Sequence, residues 1–82
     1  MFYRVHSVNP LSNKRLLVCF FDNTVKQYDM NPLIKSIPAF HILEEPSVFN
    51  QVRVDAGGYG VAWNDDLDLS CNELWEKGDV VQ

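Results

Sequence analysis

The sequence lacks any long hydrophobic run. Its longest apolar stretch in 82 residues, positions 16–21, has six residues, whereas a membrane-spanning helix needs about 20. The first four residues, MFYR, also lack the basic and then apolar layout of a secretory signal peptide. We therefore expect a cytoplasmic protein that does not associate with membranes.

Cysteine is scarce as well. Cys19 and Cys71 are the two cysteines and lie far apart in the sequence. Disulfide frameworks and zinc ribbons need more cysteines, at closer and paired spacings. We expect reduced thiols and no cofactor, with Cys19 packed in the core as a small apolar residue.

Basic residues are few and unevenly placed in a chain of net charge −4. Residues 1–54 hold six Lys and Arg against four Asp and Glu, whereas residues 55–82 hold one against seven. Binding to a phosphate backbone needs clustered basic side chains, so we do not expect direct nucleic-acid binding. The acidic third fits a basic protein partner, or it merely keeps the domain soluble.

The acidic residues Asp65, Asp66 and Asp68 form one candidate interaction surface. Their spacing with Asn64 resembles a calcium loop, in which alternating positions supply oxygen ligands. The sixth position counted from Asn64 is Leu69, where such a loop needs glycine for its sharp turn. We therefore expect a solvated acidic turn and no metal site.

The first thirty residues predict an antiparallel meander of three strands. Residues 2–8, 15–21 and 24–30 are rich in β-branched and aromatic residues. Asn9-Pro10 with the following polar residues marks the first turn, and Asp22-Asn23 marks a tight second one.

The remaining chain predicts helices around a second hairpin. Asn31-Pro32 indicates a short helix over 33–36 with Asn31 as its cap, and residues 46–49 add a helical turn. Val52, Val54 and residues 61–63 predict two strands joined by the glycine-rich turn at 57–60.

A final helix is predicted from Ser70 and Glu73, which form a capping box, and ends at Gly78. The expected fold is a single domain, residues 1–82, of the α+β class. It is a two-layer sandwich in which an antiparallel three-stranded meander and a C-terminal hairpin pack with two short helices.

The second predicted strand is apolar on both faces. Its alternate sets are Leu16, Val18 and Phe20 on one side and Leu17, Cys19 and Phe21 on the other. Two short helices cover one face of such a sheet well, so loops or a second chain must cover the other. A homodimer or a partner interface is therefore expected as one of two alternatives.

A mixed basic and aromatic surface is the next candidate. If strands one and three flank strand two, Arg4, His6, Lys26 and Tyr28 share one sheet face. Such a face can stack bases and attract phosphates, which makes a nucleic-acid-associated regulatory domain an alternative function. The alternative is ordinary pairing of solvent-facing side chains across strands.

Cys71 is a third candidate because it follows the predicted cap Ser70. A helix N-terminus lowers the pKa of a thiol, which makes a cysteine-dependent enzyme or redox sensor an alternative. Catalysis also needs a base, and the spacing of His6 and His41 places neither beside Cys71. The simpler interpretation is a residue packed on the core.

The ordered landmarks of the chain resemble a known family. They are the pattern LVxFFDN at 17–23, YDM at 28–30 before Pro32-Leu33, Phe49-x-x-Val52, Gly60-x-x-Trp63 and DLDL at 66–69. Together they resemble the bacterial domain-of-unknown-function 2442 family, DUF2442. The resemblance implies a small α+β sandwich without an established catalytic residue.

The resemblance also implies an accessory domain, in some members encoded beside another small protein in what resembles a toxin–antitoxin pair. Our leading hypothesis is a non-enzymatic protein-interaction domain, the neutralising member of such a module, that binds another small protein or itself.

Overall fold

The computed structural model describes residues 2–81 and confirms the α+β class. Its strands are β1 Val5–Leu11, β2 Arg15–Phe20, β3 Val25–Asp29, β4 Arg53–Val54, β5 Gly60–Asn64, β6 Leu67–Ser70 and β7 Asp79–Val80. Its α-helices are α1 Asn31–Ser36, α2 Pro46–Phe49 and α3 Cys71–Lys77. The strands form two antiparallel sheets, ordered β1-β2-β3-β7 and β4-β5-β6.

The predicted meander is confirmed as β1, β2 and β3, with a shifted first strand. Asn9 and Pro10 do not form the first turn but lie within β1, where Pro10 is opposite Leu16. Proline is tolerated there because β1 is an edge strand of its sheet. The turn instead falls at Ser12–Lys14, and Asn13 adopts a left-handed φ of 62°.

The Asp22-Asn23 turn is confirmed between β2 and β3. Asn23 has a φ of 72°, and the Asp22 carboxylate accepts a hydrogen bond from the Thr24 amide at 2.9 Å. This bond lowers the pKa of Asp22.

Helix α1 begins at Asn31, two residues earlier than predicted, and Asn31 does not cap it. The carboxylate of Asp29 accepts the backbone N–H of Asn31 at 2.9 Å. The Asn31 side chain donates to the Asn13 carbonyl at 2.8 Å, which ties the helix start to the first turn. The predicted turn at 46–49 is confirmed as α2, and a 3-10 segment, Pro38–Glu44, precedes it.

The second predicted hairpin is confirmed as β4 and β5, but the sheet contains a further strand. The expected acidic turn is confirmed at Asp65 and Asp66 but is shorter than predicted, because the chain returns as β6 from Leu67. Leu67 is buried and Asp68 is exposed. This alternation of apolar and acidic residues has the two-residue period of a strand with one buried face.

Helix α3 is confirmed, and one of the two hydrogen bonds of the predicted capping box forms. The Ser70 hydroxyl accepts the Glu73 N–H at 3.1 Å, while the Glu73 carboxylate accepts a hydrogen bond from Tyr28. Gly78 ends the helix in an extended conformation, not the left-handed one typical of glycine at this place. A Cβ there would lie 2.5 Å from the Leu74 carbonyl oxygen, so close packing explains the glycine.

The core joins both sheets and all three α-helices. The Trp63 indole in β5 donates to the Phe49 carbonyl of α2 at 3.1 Å. Among residues 2–81, no helix has both the length and the hydropathy to span a membrane. The largest fully buried side chains are Trp63, Phe20, Phe49, Leu16, Met30, Ile34, Leu43 and Leu74.

Candidate interaction surface

One face of the four-stranded sheet packs on the core and the other faces outward. On β2, the set Leu16, Val18 and Phe20 is completely buried. The alternate set faces outward and is partly covered at Leu17 and Cys19, while Phe21, the residue after β2, is 56% exposed.

Strand pairing extends this outward apolar strip onto β3. Cys19 lies opposite Val25, and directly paired residues share a face of the sheet. Val25 is likewise only partly buried. We call the surface of Leu17, Cys19, Phe21 and Val25 the open face.

Polar side chains border the open face at the end where β2 begins. The Arg15 guanidinium donates to the Gln27 side chain at 2.9 Å and lies 4.0 Å from the Asp29 carboxylate. Both charged side chains are nearly half exposed, so this ion pair adds little stability. The hydrogen bond from the Asn31 amide lowers the pKa of Asp29, which keeps this rim charged.

Aromatic and basic side chains lie together at the opposite end of the open face, around Phe21. We call this group, Phe2, Arg4, His6, Phe21 and Tyr59, the aromatic corner. Its rings are unusually exposed, at 61% for Phe2, 56% for Phe21 and 53% for Tyr59. Large aromatic side chains supply most of the binding energy in many protein interfaces, so the cluster is a candidate contact surface.

The end of the β1–β2 pairing brings three members of the corner together. The Phe21 amide donates to the Arg4 carbonyl at 3.0 Å, which continues the pairing beyond Val5. A register shift between Val5 and Ser7 accompanies an edge-to-face contact of His6 with Phe21, with ring centroids 5.0 Å apart. The Arg4 guanidinium carbon lies 5.2 Å from the Phe21 ring centroid, a cation–π distance.

The glycine turn of the second sheet supplies the rest of the corner. Gly58 has a φ of +79°, and a Cβ on it would lie 2.6 Å from the Val5 carbonyl oxygen, so glycine lets the turn pack directly on β1. The Arg4 guanidinium makes a long 3.4 Å contact with the Gly57 carbonyl. Tyr59 then meets Phe2 edge to face at 5.7 Å.

A cavity of about 250 Å³ opens within the corner. It is lined by Phe2, Tyr3, Arg4, Phe20, Phe21 and Asp22. Four of these six side chains are aromatic, and one is a cation. The arrangement can accept an apolar side chain from another molecule beside a positive charge.

The sequence matches the family model "Protein of unknown function (DUF2442)" over residues 5–79. This match covers nearly the whole chain. The chain belongs to the DUF2442 family. No match is found among curated proteins.

A solved structure shares the fold of this DUF2442 chain. It is the crystal structure of a Nitrosomonas europaea ATCC 19718 protein named "Putative DNA Binding Protein", with 22% sequence identity and a TM-score of 0.68. The match covers 76% of the present chain and 40% of the other. The DUF2442 chain therefore corresponds to less than half of that protein.

The four residues expected to share one sheet face are divided between two places. Arg4 and His6 lie in the aromatic corner, whereas Lys26 and Tyr28 are 8% and 5% exposed. The pairing of β2 with β3 places Lys26 opposite Val18, on the core side. The expectation of a shared face was therefore wrong, because the register turns these two side chains beneath α3.

Lys26 and Tyr28 find polar partners on α3. The Lys26 ammonium donates to the Trp75 carbonyl and lies 4.0 Å from the centre of the Trp75 ring. The Tyr28 hydroxyl donates to the Glu73 carboxylate at 2.7 Å. Burial and this hydrogen bond both raise the pKa of Tyr28.

The acidic candidates lie on the other sheet. Asp65 and Asp66 are exposed in the β5–β6 turn, and Asp68 is exposed on β6. The Asn64 side chain accepts the Asp66 amide at 2.8 Å, so it stabilises the turn. Throughout residues 2–81, no three His, Cys, Asp or Glu side chains are grouped as metal ligands.

The two thiols differ in accessibility. Cys71 occupies the first position of α3, as predicted, but it is only 1% exposed. Its amide donates to the Tyr59 carbonyl at 2.8 Å, which holds the helix start against the glycine turn. Cys19 is partly exposed on the open face, not enclosed in the core as expected.

Sequence reasoning did not select Phe2 or Tyr59 as site residues. Tyr59 stands among turn glycines, where an aromatic side chain has no strand period to place it. Phe21 belongs to the second apolar set of the predicted strand, and its spacing of two and four residues from Cys19 and Leu17 predicts its place on the open face.

Proposed function

We propose that this chain is a non-enzymatic protein-interaction domain that binds another protein through the open face and the aromatic corner. One observation carries the proposal: Phe2, Phe21 and Tyr59, each more than half exposed, lie beside an apolar strip of the sheet. Contiguous apolar surface of this kind marks interaction sites in soluble proteins. Aromatic residues and arginine are also enriched in protein interfaces.

The finer part of the proposal concerns the partner. The family resemblance points to a small protein encoded beside this one, with the present chain as the neutralising member of the pair. A second copy of the chain is the alternative partner. Both would cover the same apolar surface.

Sedimentation velocity at micromolar concentration tests the proposal. The chain is measured alone and mixed with the protein encoded by the adjacent gene. We expect a complex with that protein or a dimer of the chain. A chain that stays monomeric in both samples contradicts the proposal.

Nucleic-acid binding is a second candidate function, favoured by the exposed rings around Arg4. The name of the Nitrosomonas europaea protein points the same way, although that protein is much longer. The net charge of −4 and the burial of Lys26 weigh against it. Titration of single-stranded DNA at two salt concentrations decides the matter, since this candidate requires binding that strengthens as salt is lowered.

A further inference from the structure

Resting on the proposed function, we propose the chemistry of the partner. The aromatic corner recognises an acidic protein segment in which Asp or Glu stands next to a large apolar residue. The carboxylate pairs with Arg4, and the apolar side chain enters the neighbouring cavity.

Arg4 has N–H donors that can bind a carboxylate. Its guanidinium packs against Phe21 at 5.2 Å and makes one long contact, at 3.4 Å, with the Gly57 carbonyl. Within the described residues, the ion pair that the chain forms joins Arg15 to Asp29, and Arg4 takes no part in it. A guanidinium carries five N–H donors, so Arg4 keeps donors for a bidentate carboxylate pair.

The cavity beside Arg4 provides the apolar half of the site. Phe2, Tyr3, Phe20 and Phe21 contribute aromatic walls to its volume of about 250 Å³. An aromatic or large aliphatic side chain gains from burial there, and rings can meet rings edge to face.

Asp22 sets the direction of the bound segment. It also lines the cavity, and its carboxylate is turned to the Thr24 amide in the β2–β3 turn. Its negative charge repels a ligand carboxylate from that side of the cavity. The ligand acid is therefore directed to the Arg4 side.

The charge of the site favours a protein segment over a nucleic acid. Arg4 and His6 are the basic residues of the corner, and the whole chain has a net charge of −4. Nucleic-acid affinity grows with each phosphate that is neutralised, so one arginine gives little. A single carboxylate next to an apolar anchor matches one arginine next to one cavity.

Selection from a random 12-residue peptide library displayed on phage tests the inference. We expect the immobilised chain to enrich peptides with Asp or Glu within two positions of Phe, Tyr, Trp, Leu or Met. Binding of the enriched peptides should weaken on the order of tenfold in Arg4→Gln. Arg53→Gln, which changes an exposed arginine on β4, is the matched control and should bind as the parent does.

Several results would overturn the inference. They are enriched peptides without an acidic bias, undiminished binding by Arg4→Gln, displacement of the peptides by a 12-nucleotide oligodeoxythymidylate, or a library without binders. Displacement of the bound peptides by a soluble Arg4→Gln copy, which should not bind them itself, would show that the corner is instead a self-association surface.

The failure of this inference is distinguishable from that of the proposed function. If the adjacent gene product or a second copy binds but Arg4→Gln has no effect, only the partner chemistry is wrong. If sedimentation also shows a monomer in every mixture, the interaction function is wrong as well.

Discussion

The Lys26 side chain on β3 caps the C-terminal end of helix α3 by binding Trp75. Its ammonium donates to the Trp75 carbonyl and lies 4.0 Å from the centre of the Trp75 ring. Carbonyls in the last turn of a helix have no partner within the helix, so this lysine satisfies one of them. On its other side, the Trp75 ring stacks on Tyr3 at 3.7 Å, which connects α3 to the segment carrying the aromatic corner.

The cap predicts that Lys26→Met destabilises the fold. The substitution removes a charged hydrogen bond and a cation–π contact from a nearly buried site, at a cost of about 1–3 kcal/mol. Urea denaturation measures the free energy of unfolding. Lys35→Met, in an exposed position of α1, is the control and should change it by less than about 0.5 kcal/mol. Equal effects of the two variants would show that Lys26 is not a cap.

Tyr28 predicts a loss of stability at alkaline pH. Burial, and then the hydrogen bond to Glu73, raise the pKa of Tyr28 in the folded chain. In the unfolded chain a tyrosine loses its proton near pH 10, before the folded one does. The free energy of unfolding therefore decreases as the pH rises above about 10, because deprotonation favours the unfolded state.

Tyr28→Phe lacks this titration and should show a shallower alkaline decline. Urea denaturation of both proteins between pH 8 and 11 measures the difference. At pH 8 the variant should be less stable by about 1 kcal/mol, the value of one hydrogen bond. Parallel alkaline declines in the two proteins would contradict the assignment.

The glycine turn predicts unequal effects of two alanine substitutions. Gly57 and Gly58 share a φ of +79°, but the new Cβ at 58 meets the Val5 backbone oxygen at 2.6 Å and that at 57 meets the Tyr59 ring. The Tyr59 ring can rotate away from a new Cβ, whereas the backbone of β1 is held in place by its pairing with β2. Gly58→Ala should therefore unfold at lower urea than Gly57→Ala, with each losing at least about 1 kcal/mol. Equal midpoints would disprove the close packing of the turn on β1.

The open face predicts that Cys19 reports on partner binding. Iodoacetamide should modify Cys19 in the free chain and leave Cys71, which is 1% exposed, unmodified until the chain unfolds. Peptide mass mapping distinguishes the two sites. Complex formation should slow the reaction at Cys19. Rapid reaction at Cys71 in the native chain would instead revive the cysteine-enzyme alternative.

The sequence predicts the strands better than the surface they create. Turn residues such as Asn23 and runs of β-branched residues predict the hairpins, because both are local signals. Strand β7 has two residues and exists through pairing with β3. No local pattern identifies so short a strand.

Which strand is buried on both faces depends on tertiary packing. The sequence indicates β2 as the strand with two apolar faces, yet β5 has buried residues on both sides at Val61, Ala62 and Trp63. Ala62, which pairs with Arg53 on β4 and Asp68 on β6, is 5% exposed, whereas Phe21, just beyond the end of β2, is 56% exposed. The location of Lys26 likewise depends on a partner carbonyl 49 residues away.

Substitution of two exposed apolar residues tests most directly whether the open face and the aromatic corner bind the partner. Phe21 is 56% exposed on the open face, and Ile42 is 50% exposed on the Pro38–Glu44 segment. Each is changed to aspartate, circular dichroism verifies folding, and sedimentation velocity measures binding to the adjacent gene product or to a second copy. We expect Phe21→Asp to lose binding and Ile42→Asp to retain it. Full binding by folded Phe21→Asp would show that the chain does not bind its partner through the open face and the aromatic corner.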